Sequence, residues 1–401
     1  MAQTQLFDDL SNENEDDLIQ QSDSFDQAVI WGTDWTTETI TNQLFKENID
    51  LDPKFQRRDA WTSQAKSKFI ESLILGLPIP QIILAEKKDA KGKYIVIDGK
   101  QRLLTIRKFF AEGANDEFKP LKLTGLSILN QLNGKTNADL MNNPRFSQII
   151  DQLQNQTIRT TVIKNWPNES FLFTVFLRLN TGSIKLSPQE LRQALHPGNF
   201  IDFADNFSIE SDAIKTMLNL NAPDFRMRDV EIVIRYYNFK LFLNQYDGNL
   251  KTAFDRTVQT LNKEWNTLQK TIIIEAQNLE KAISFTIDIF GKKEAFSKWT
   301  EKGFQGNFNR AIFDIMVFYF SNDKILRSSS DKGQQIVNTF KTLSGTDNSF
   351  LSSLEQTTKS LANTEKRLRT WGEALAQLLS FKIQVPYLEN NRLILRNSEN
   401  G

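Results

Sequence analysis

The residues with the clearest chemical capacity lie in one short stretch, Asp98-Gly99-Lys100-Gln101-Arg102. An arginine can grip a phosphate group through two parallel hydrogen bonds, and a lysine adds a point charge. A carboxylate beside bound phosphate is repelled unless it holds a metal ion, orients a water molecule or pairs with the arginine. The first two of these are hydrolytic roles. Asp98 fits a helix cap equally well, because capping and catalysis need the same position.

The motif joins a predicted strand to a predicted helix. The apolar run from Tyr94 to Ile97 indicates a strand, and Asp98-Gly99 forms a turn. Beyond Lys100 the apolar residues follow helical spacing, at Leu103, Leu104, Ile106, Phe109 and Phe110. A helix N-terminus carries unpaired N–H groups and a partial positive charge, and a glycine there lets a ligand approach the backbone. The sequence therefore predicts an anion site at the start of this helix.

Composition excludes several classes of function. The 401 residues include 49 basic and 49 acidic side chains, so a globally basic nucleic-acid binder is not indicated. The absence of cysteine excludes disulfides, cysteine zinc sites and a thiol nucleophile. The single histidine, His196, precedes Pro197-Gly198, which favours a contact at a helix end over a catalytic base. Because the apolar runs are short and the N-terminus is acidic, we expect a soluble, cytoplasmic protein without a membrane partner.

Positive charge is concentrated locally. The window from Lys54 to Lys108 holds thirteen basic residues against five acidic ones, although the whole chain is neutral. This concentration favours an anionic ligand, either phosphate or nucleic acid. Solvated faces of amphipathic helices would give the same count, and spacing alone does not separate the two interpretations.

Charge and apolar periodicity divide the chain into three parts. Residues 1–27 hold eight acidic and no basic residues, which predicts a disordered tail, either solubilising or mimicking nucleic acid over a basic site. Residues 28–205 alternate strand and helix signals and form an α+β domain, with an insertion or peripheral helices near 114–157. Residues 206–401 show helical spacing almost throughout, which predicts an all-α domain.

Short signals place the remaining elements of the α+β domain. Apolar runs predict strands over 81–85, 93–97 and 158–163. Thr62 or Ser63 can cap a helix that ends at Gly76. Ser187-Pro188-Gln189-Glu190 has the form of a capping box, with Ser187 at the N-cap and Glu190 three residues later.

Five segments in this order resemble one family, the N-terminal domain of GmrSD-type restriction systems, which has a ParB/sulfiredoxin-like fold. The similarity runs from about residue 50 to residue 195, and Phe308–Phe313 resembles the family's helical continuation. The five segments are Phe55-Gln56-Arg57-Arg58 with Trp61, Gly76-Leu77-Pro78-Ile79-Pro80, Ile97-Asp98-Gly99-Lys100-Gln101-Arg102-Leu103, Phe176-Leu177-Arg178-Leu179-Asn180-Thr181-Gly182, and Leu186-Ser187-Pro188-Gln189-Glu190-Leu191-Arg192.

The resemblance implies a domain that binds and hydrolyses a nucleoside triphosphate with Mg²⁺ in bacterial anti-phage defence. The family motif is Asp-Gly-Gln-Gln-Arg, and Lys100 replaces its first glutamine, facing either outward or toward phosphate. The implied catalytic residues are Asp98, Gln101 and Arg102, and Asp98 is also the implied metal ligand. The implied nucleotide- and phosphate-binding residues are Gly99, Lys100, Arg57, Arg178 and Asn180.

Two-domain relatives carry a His-Asn-His nuclease at the C-terminus, and that chemistry needs a histidine base. No histidine follows His196, so a self-contained nuclease of this type is not expected. We expect a triphosphatase that acts as a switch for DNA engagement or for a separately encoded effector. Two alternatives remain open from the sequence: a ParB-like DNA-binding or DNA-nicking protein, and a non-catalytic interaction subunit.

Overall fold

The structure, a computed structural model, describes residues 28–49, 51, 60–112, 116–168, 171–172, 175, 187–355 and 359–399. The predictions made for the tail at 1–27 and for Arg57, Arg178 and Asn180 fall outside these residues. The described residues form two compact units, of which the first ends at Leu195 and the second begins at His196. The predicted organisation, a mixed α/β part followed by a helical part, is confirmed. Across these ranges, no helix has the length and apolar character needed to cross a bilayer.

A four-stranded mixed sheet lies at the centre of the first unit. Its strands are β1 (Val29–Thr36), β2 (Ile82–Glu86), β3 (Tyr94–Asp98) and β4 (Thr157–Lys164). They lie in the order β1-β4-β2-β3, with β2 and β4 parallel and the other pairs antiparallel. Each strand predicted from the sequence in this unit is present, displaced by one residue or extended at its ends.

Six helices with defined ends accompany the sheet in the part of this unit that the structure describes. Thr36 and Thr62 cap the first two, as their side-chain oxygens accept the Thr39 and Ala65 N–H groups. Both caps follow the preference of threonine for this position. The helices are α1 (Thr37–Phe45), α2 (Ser63–Ile74), α3 (Lys100–Phe109), α4 (Asn137–Met141), α5 (Ser147–Asn155) and α6 (Pro188–Leu195).

Strand β2, in the interior of the sheet, is buried on both faces, and its alternate residues point to opposite sides. On β2, Leu84 belongs to one apolar cluster while Ile83 and Ala85 belong to the other. Leu191 of α6 joins the second cluster together with Ile97 of β3, which places α6 against the strand that leads into the Asp98 motif.

The stretch near 114–157 belongs to the main core and is not peripheral. Its apolar side chains are buried in the same cluster as those of α1, α2 and α3. The helical periodicity of this stretch is weak because much of it is irregular chain between short helices. The sequence pattern therefore did not predict that its apolar side chains are buried. The buried side chains are Phe118, Leu121, Leu123, Leu126, Leu132, Leu140, Phe146, Ile150 and Leu153.

Glu71 of α2 fixes this irregular stretch to the helix. Its carboxylate accepts the backbone N–H groups of Ile128 and Leu129 at 2.9 and 2.8 Å, and that of Ser127 at 3.4 Å. Burial raises the pKa of Glu71, but these hydrogen bonds outweigh burial and hold the pKa below its ordinary value. The ionised side chain therefore takes the place of backbone partners that the loop lacks.

Glu71→Gln is expected to destabilise the protein by about 1–3 kcal/mol near neutral pH, because a weaker acceptor replaces a carboxylate. A carboxyl with a lowered folded-state pKa contributes stability above its unfolded pKa, about 4.3, and loses it as the pH falls. Urea unfolding should therefore show the gap between wild type and Glu71→Gln narrowing below about pH 4. The exposed Glu47→Gln is the control; a gap that is constant with pH would contradict this account.

The second unit is mainly helical. Ten helices carry most of its core, including Phe254, Ile283, Phe313 and Trp371, which are almost completely buried. They are α7 (Asn199–Glu210), α8 (Asp212–Met217), α9 (Arg228–Phe242), α10 (Leu250–Lys263), α11 (Trp265–Phe290), α12 (Arg310–Phe320), α13 (Asp323–Ser329), α14 (Gly333–Thr346), α15 (Asn348–Glu355) and α16 (Leu361–Leu379).

The predicted helical second half is confirmed, and two short antiparallel hairpins that were not predicted interrupt its helices. They consist of β5 (Trp299–Thr300) with β6 (Gly303–Phe304), and of β7 (Gln384–Glu389) with β8 (Arg392–Asn397). Asn390 and Asn391 join β7 to β8 with positive φ angles of 47° and 58°. Asparagine tolerates this conformation, so the Asn-Asn pair between two short apolar runs was an available hairpin signal.

The second unit also buries a charged cluster. Asp314 of α12 accepts hydrogen bonds from Arg235 of α9, at 2.6 and 2.7 Å, and from Arg367 of α16, at 3.0 Å. Arg310 pairs with Glu231 at 3.1 Å on the same two helices, α12 and α9. Carboxylates and guanidinium groups this deeply buried are retained only when they neutralise one another. The cluster therefore connects three helices through one carboxylate, Asp314.

Candidate polyphosphate site

The Asp98 motif forms the predicted strand–turn–helix. Strand β3 ends at Asp98, Gly99 turns the chain with φ 100° and ψ 11°, and α3 begins at Lys100. Gly99 occupies the N-cap position, and no side chain caps the helix there. Gly99 has no side chain that could accept the first-turn N–H groups of α3, and a glycine at this position suits an anion.

Asp98 pairs with an arginine and does not cap the helix. Its Oδ2 accepts a hydrogen bond from Arg102 Nη2 at 2.8 Å, one helical turn away. Arg102 Nη2 also donates to the backbone oxygen of Gln81 at 3.1 Å. Of the three roles considered for a carboxylate beside phosphate, the geometry displays the pairing with arginine. The hydrolytic roles of Asp98 stay predictions.

Arg102 lies beneath the turn, and one nitrogen of its guanidinium group makes no hydrogen bond to the described residues. The residue is only 6% exposed, and its Nε is buried without a hydrogen-bond partner in the described part of the chain. The side-chain oxygen of Gln101 is also buried and lacks a partner there. Buried polar atoms normally have hydrogen-bond partners. Because two such atoms on consecutive residues lack one, a ligand bound here could supply the missing hydrogen bonds.

Lys100 does not face outward, which corrects one of the two orientations expected for it. The residue is 8% exposed, and its Nζ lies 3.0 Å from Oε1 of Glu190 on α6. The physical reason is burial, since an ammonium group inside the fold needs a nearby counter-charge. The predicted contact of Lys100 with phosphate stays a prediction.

Glu190 was missed as a site residue. The predicted capping box is confirmed, because Glu190 Oε2 accepts the Ser187 N–H at 2.7 Å and Ser187 Oγ accepts the Glu190 N–H at 3.1 Å. The second contact, with Lys100, joins residues ninety positions apart and leaves no local pattern in the sequence. Glu190 therefore lies beside the first turn of α3 as well as at the start of α6.

Several basic residues of the window from Lys54 to Lys108 are used inside the fold. Lys66 Nζ donates to the Trp61 oxygen at 2.8 Å, and Arg107 pairs with Asp116 through two bonds of 2.8 Å. Lys93 Nζ donates to the Glu47 oxygen at 3.1 Å. For these residues the local excess of positive charge has a structural role.

The predicted metal role rests on Asp98 alone among the residues that the structure describes. Those residues contain no group of three or more histidine, aspartate or glutamate side chains placed to hold a metal ion. The Asp98 side chain is 21% exposed and shares its Oδ2 with Arg102. His196, at the start of the second unit, is buried with its backbone oxygen accepting from Asn262 at 3.0 Å.

Gly99→Ala is expected to destabilise the protein and disturb Arg102. A Cβ at this position would lie 3.1 Å from Ile82 Cγ1 and 3.2 Å from Arg102 Nη2, in a conformation with positive φ. We expect a loss of about 2 kcal/mol or more in the free energy of unfolding. The matched control is Gly92→Ala, which has φ 79° and no atom within 4 Å of its Cβ, so it measures backbone strain alone.

Urea unfolding of the two alanine variants separates these contributions. Gly92→Ala should lose about 1 kcal/mol from strain, and Gly99→Ala should lose clearly more. Equal losses would mean that Arg102 and Ile82 do not enclose the turn as described.

The comparisons with known proteins concern the first part of the chain. Residues 41–197 match the family model described as the GmrSD restriction endonuclease, N-terminal domain. The match covers less than half of the chain and lies almost entirely in the first unit. No curated protein and no solved structure matches the chain.

Residues 41–197 are thus similar to the N-terminal domain of the GmrSD restriction endonuclease. This similarity points to a restriction or defence system of the GmrSD kind.

Proposed function

We propose that the first unit binds and hydrolyses a nucleoside triphosphate, and that this cycle acts as a switch in a GmrSD-like restriction or defence system in the cytoplasm. The switch controls DNA engagement or a separately encoded effector. The observation that carries the proposal is the start of α3, which has a glycine at its N-cap and the buried Arg102 beneath it. The Nε of Arg102 has no hydrogen-bond partner among the described residues.

Each residue of the motif has a defined task in this proposal. Gly99 leaves room for phosphate oxygens beside the N–H groups of the helix start. Arg102 supplies a charged donor, and Gln101 supplies an amide that orients the nucleotide or the attacking water. Asp98, which Arg102 holds in place at 2.8 Å, is the motif carboxylate that accepts a proton from that water.

A magnesium ion fits this site only as a companion of the nucleotide. One partly exposed carboxylate, Asp98, cannot form a protein cage for the metal. Mg²⁺ commonly binds through one or two carboxylates, with phosphate oxygens and water completing its shell. Asp98 would then be its protein ligand, and the ion would supply charge that stabilises the phosphate oxygens.

A phosphate-release assay across ATP, GTP, CTP and UTP, with Mg²⁺ and with or without DNA, tests the proposal. We expect turnover of at least one nucleotide. DNA affinity that falls steeply with salt and does not change with nucleotide would favour a DNA-binding protein. Absence of both turnover and nucleotide binding, with a partner protein that co-purifies, would favour an interaction subunit.

A further inference from the structure

The Lys100–Glu190 pair occupies an unusual electrostatic position. Lys100 is the first residue of α3, where the helix already presents a partial positive charge. An ammonium group there is unfavourable unless an anion lies close, and its burial increases that cost. Glu190 supplies the anion, with Oε1 at 3.0 Å from Nζ and both side chains almost completely buried.

Glu190 serves two helix starts with one carboxylate. Its Oε2 accepts the N–H of Ser187 at the start of α6, while its Oε1 accepts from Lys100 at the start of α3. The capping box already satisfies the requirement of α6 for an acceptor, and a glutamine could meet that requirement equally well. The charge of Glu190 is therefore needed for Lys100 and not for the cap.

A phosphate group at the start of α3 would need the same ammonium group that Glu190 holds. We infer that Glu190 is a built-in competitor of the bound polyphosphate: its carboxylate and a phosphate oxygen exchange at Lys100, so each weakens the contact of the other. This inference deepens the proposed function and rests on it. Linkage of this kind is reciprocal and commonly amounts to about 5–150-fold in affinity.

Glu190→Gln separates the charge of the residue from its capping role. The variant keeps an oxygen acceptor for Ser187 and removes the negative charge that Glu190 places beside the Lys100 ammonium. We expect it to bind inorganic tripolyphosphate about tenfold more tightly than wild type by isothermal titration, the size expected for such linkage. In a Lys100→Gln background the same change should alter affinity by less than about twofold, because the exchange has lost its cation.

A matched control removes another buried ion pair in the same unit. Asp116→Asn removes the charge that pairs with Arg107 and one of the two 2.8 Å bonds, and it leaves Lys100 and Glu190 unchanged. It should lower stability and leave the tripolyphosphate affinity unchanged. Urea unfolding of Lys100→Gln, Glu190→Gln and the double variant supplies a readout of the pair without ligand. The double variant should lose less free energy of unfolding than the sum of the losses in the two single variants, because it removes both charges of the pair together.

Three results would overturn the inference. Glu190→Gln could bind tripolyphosphate no more tightly than wild type, or it could increase the affinity equally when Lys100 is glutamine. The third result is that neither wild type nor Glu190→Gln binds tripolyphosphate. Failure of the proposed function looks different. If wild type binds nucleoside triphosphates but Glu190→Gln does not increase the affinity for tripolyphosphate, only the proposed competition is wrong. If no nucleoside triphosphate binds but Glu190→Gln gains tripolyphosphate affinity through Lys100, the competition stands and the nucleotide assignment fails.

Discussion

Replacing Arg102 with alanine is expected to lower triphosphate turnover by about 100-fold or more, the usual cost of removing one charged donor from a transition-state site. Arg102 is the only motif residue that combines a buried charge, a contact to Asp98 and an unpartnered donor in the described part of the chain. Its loss would remove a phosphate ligand and release Asp98 from its fixed position. Both changes act on the chemical step, so kcat should fall.

Two further variants show whether the effect belongs to the site. Arg102→Lys keeps the charge but loses the planar donor group, so it should recover binding better than turnover. Arg159→Ala removes an exposed arginine that pairs with Asp34 at 3.2 Å on the same sheet, and should leave turnover unchanged. Full activity in a folded Arg102→Ala protein would remove Arg102 from the mechanism.

Asp314→Asn is expected to cost the second unit about 3–5 kcal/mol, because one substitution leaves two buried guanidinium groups without their carboxylate. Asp314 is 1% exposed on its side chain and holds Arg235 and Arg367 at 2.6–3.0 Å. Three helices, α9, α12 and α16, lose their common charged contact at once. Urea unfolding followed by the fluorescence of the buried Trp371, with the other six tryptophans replaced by phenylalanine, would follow this unit.

The control for Asp314 is an aspartate in an exposed pair. Asp323 lies 2.7 Å from Arg327, one helical turn along α13, and both side chains are largely in solvent. Exposed pairs of this kind contribute little, so Asp323→Asn should shift the midpoint hardly at all. A similar small shift for Asp314→Asn would show that the buried cluster is not held by its carboxylate.

Local sequence signals were sufficient to predict the strand–turn–helix. The change from strand to helical spacing at Asp98-Gly99 sets the path of the chain, and only a residue that tolerates φ 100° fits the turn. Thr62 was likewise identified, together with Ser63, as a candidate cap, and Ser187 was identified from the capping-box form of the four residues that begin with it. These features depend on residues a few positions apart, which is the range that periodicity and capping rules cover.

Contacts between distant residues were not predictable in this way. The residues next to Lys100 in the sequence do not indicate Glu190 as its partner, and those next to Asp314 do not indicate Arg367. These partners come together only when the helices pack. Tertiary packing also gives Lys100 its buried setting, whereas its sequence position permitted an outward orientation. The hairpin at 384–397 was missed for a different reason: its Asn390-Asn391 signal was present, but helical spacing on its N-terminal side dominated the interpretation.

Equilibrium binding of labelled nucleoside triphosphates to the full chain and to Arg102→Ala, with Mg²⁺, tests the central claim most directly. We expect one triphosphate to bind per chain and to be displaced by inorganic tripolyphosphate. Arg102→Ala should bind the triphosphate about tenfold or more weakly, as expected from the loss of a charged hydrogen bond. Equal affinity of the two proteins, or no binding to the full chain, would contradict the assignment of the start of α3 as a polyphosphate site.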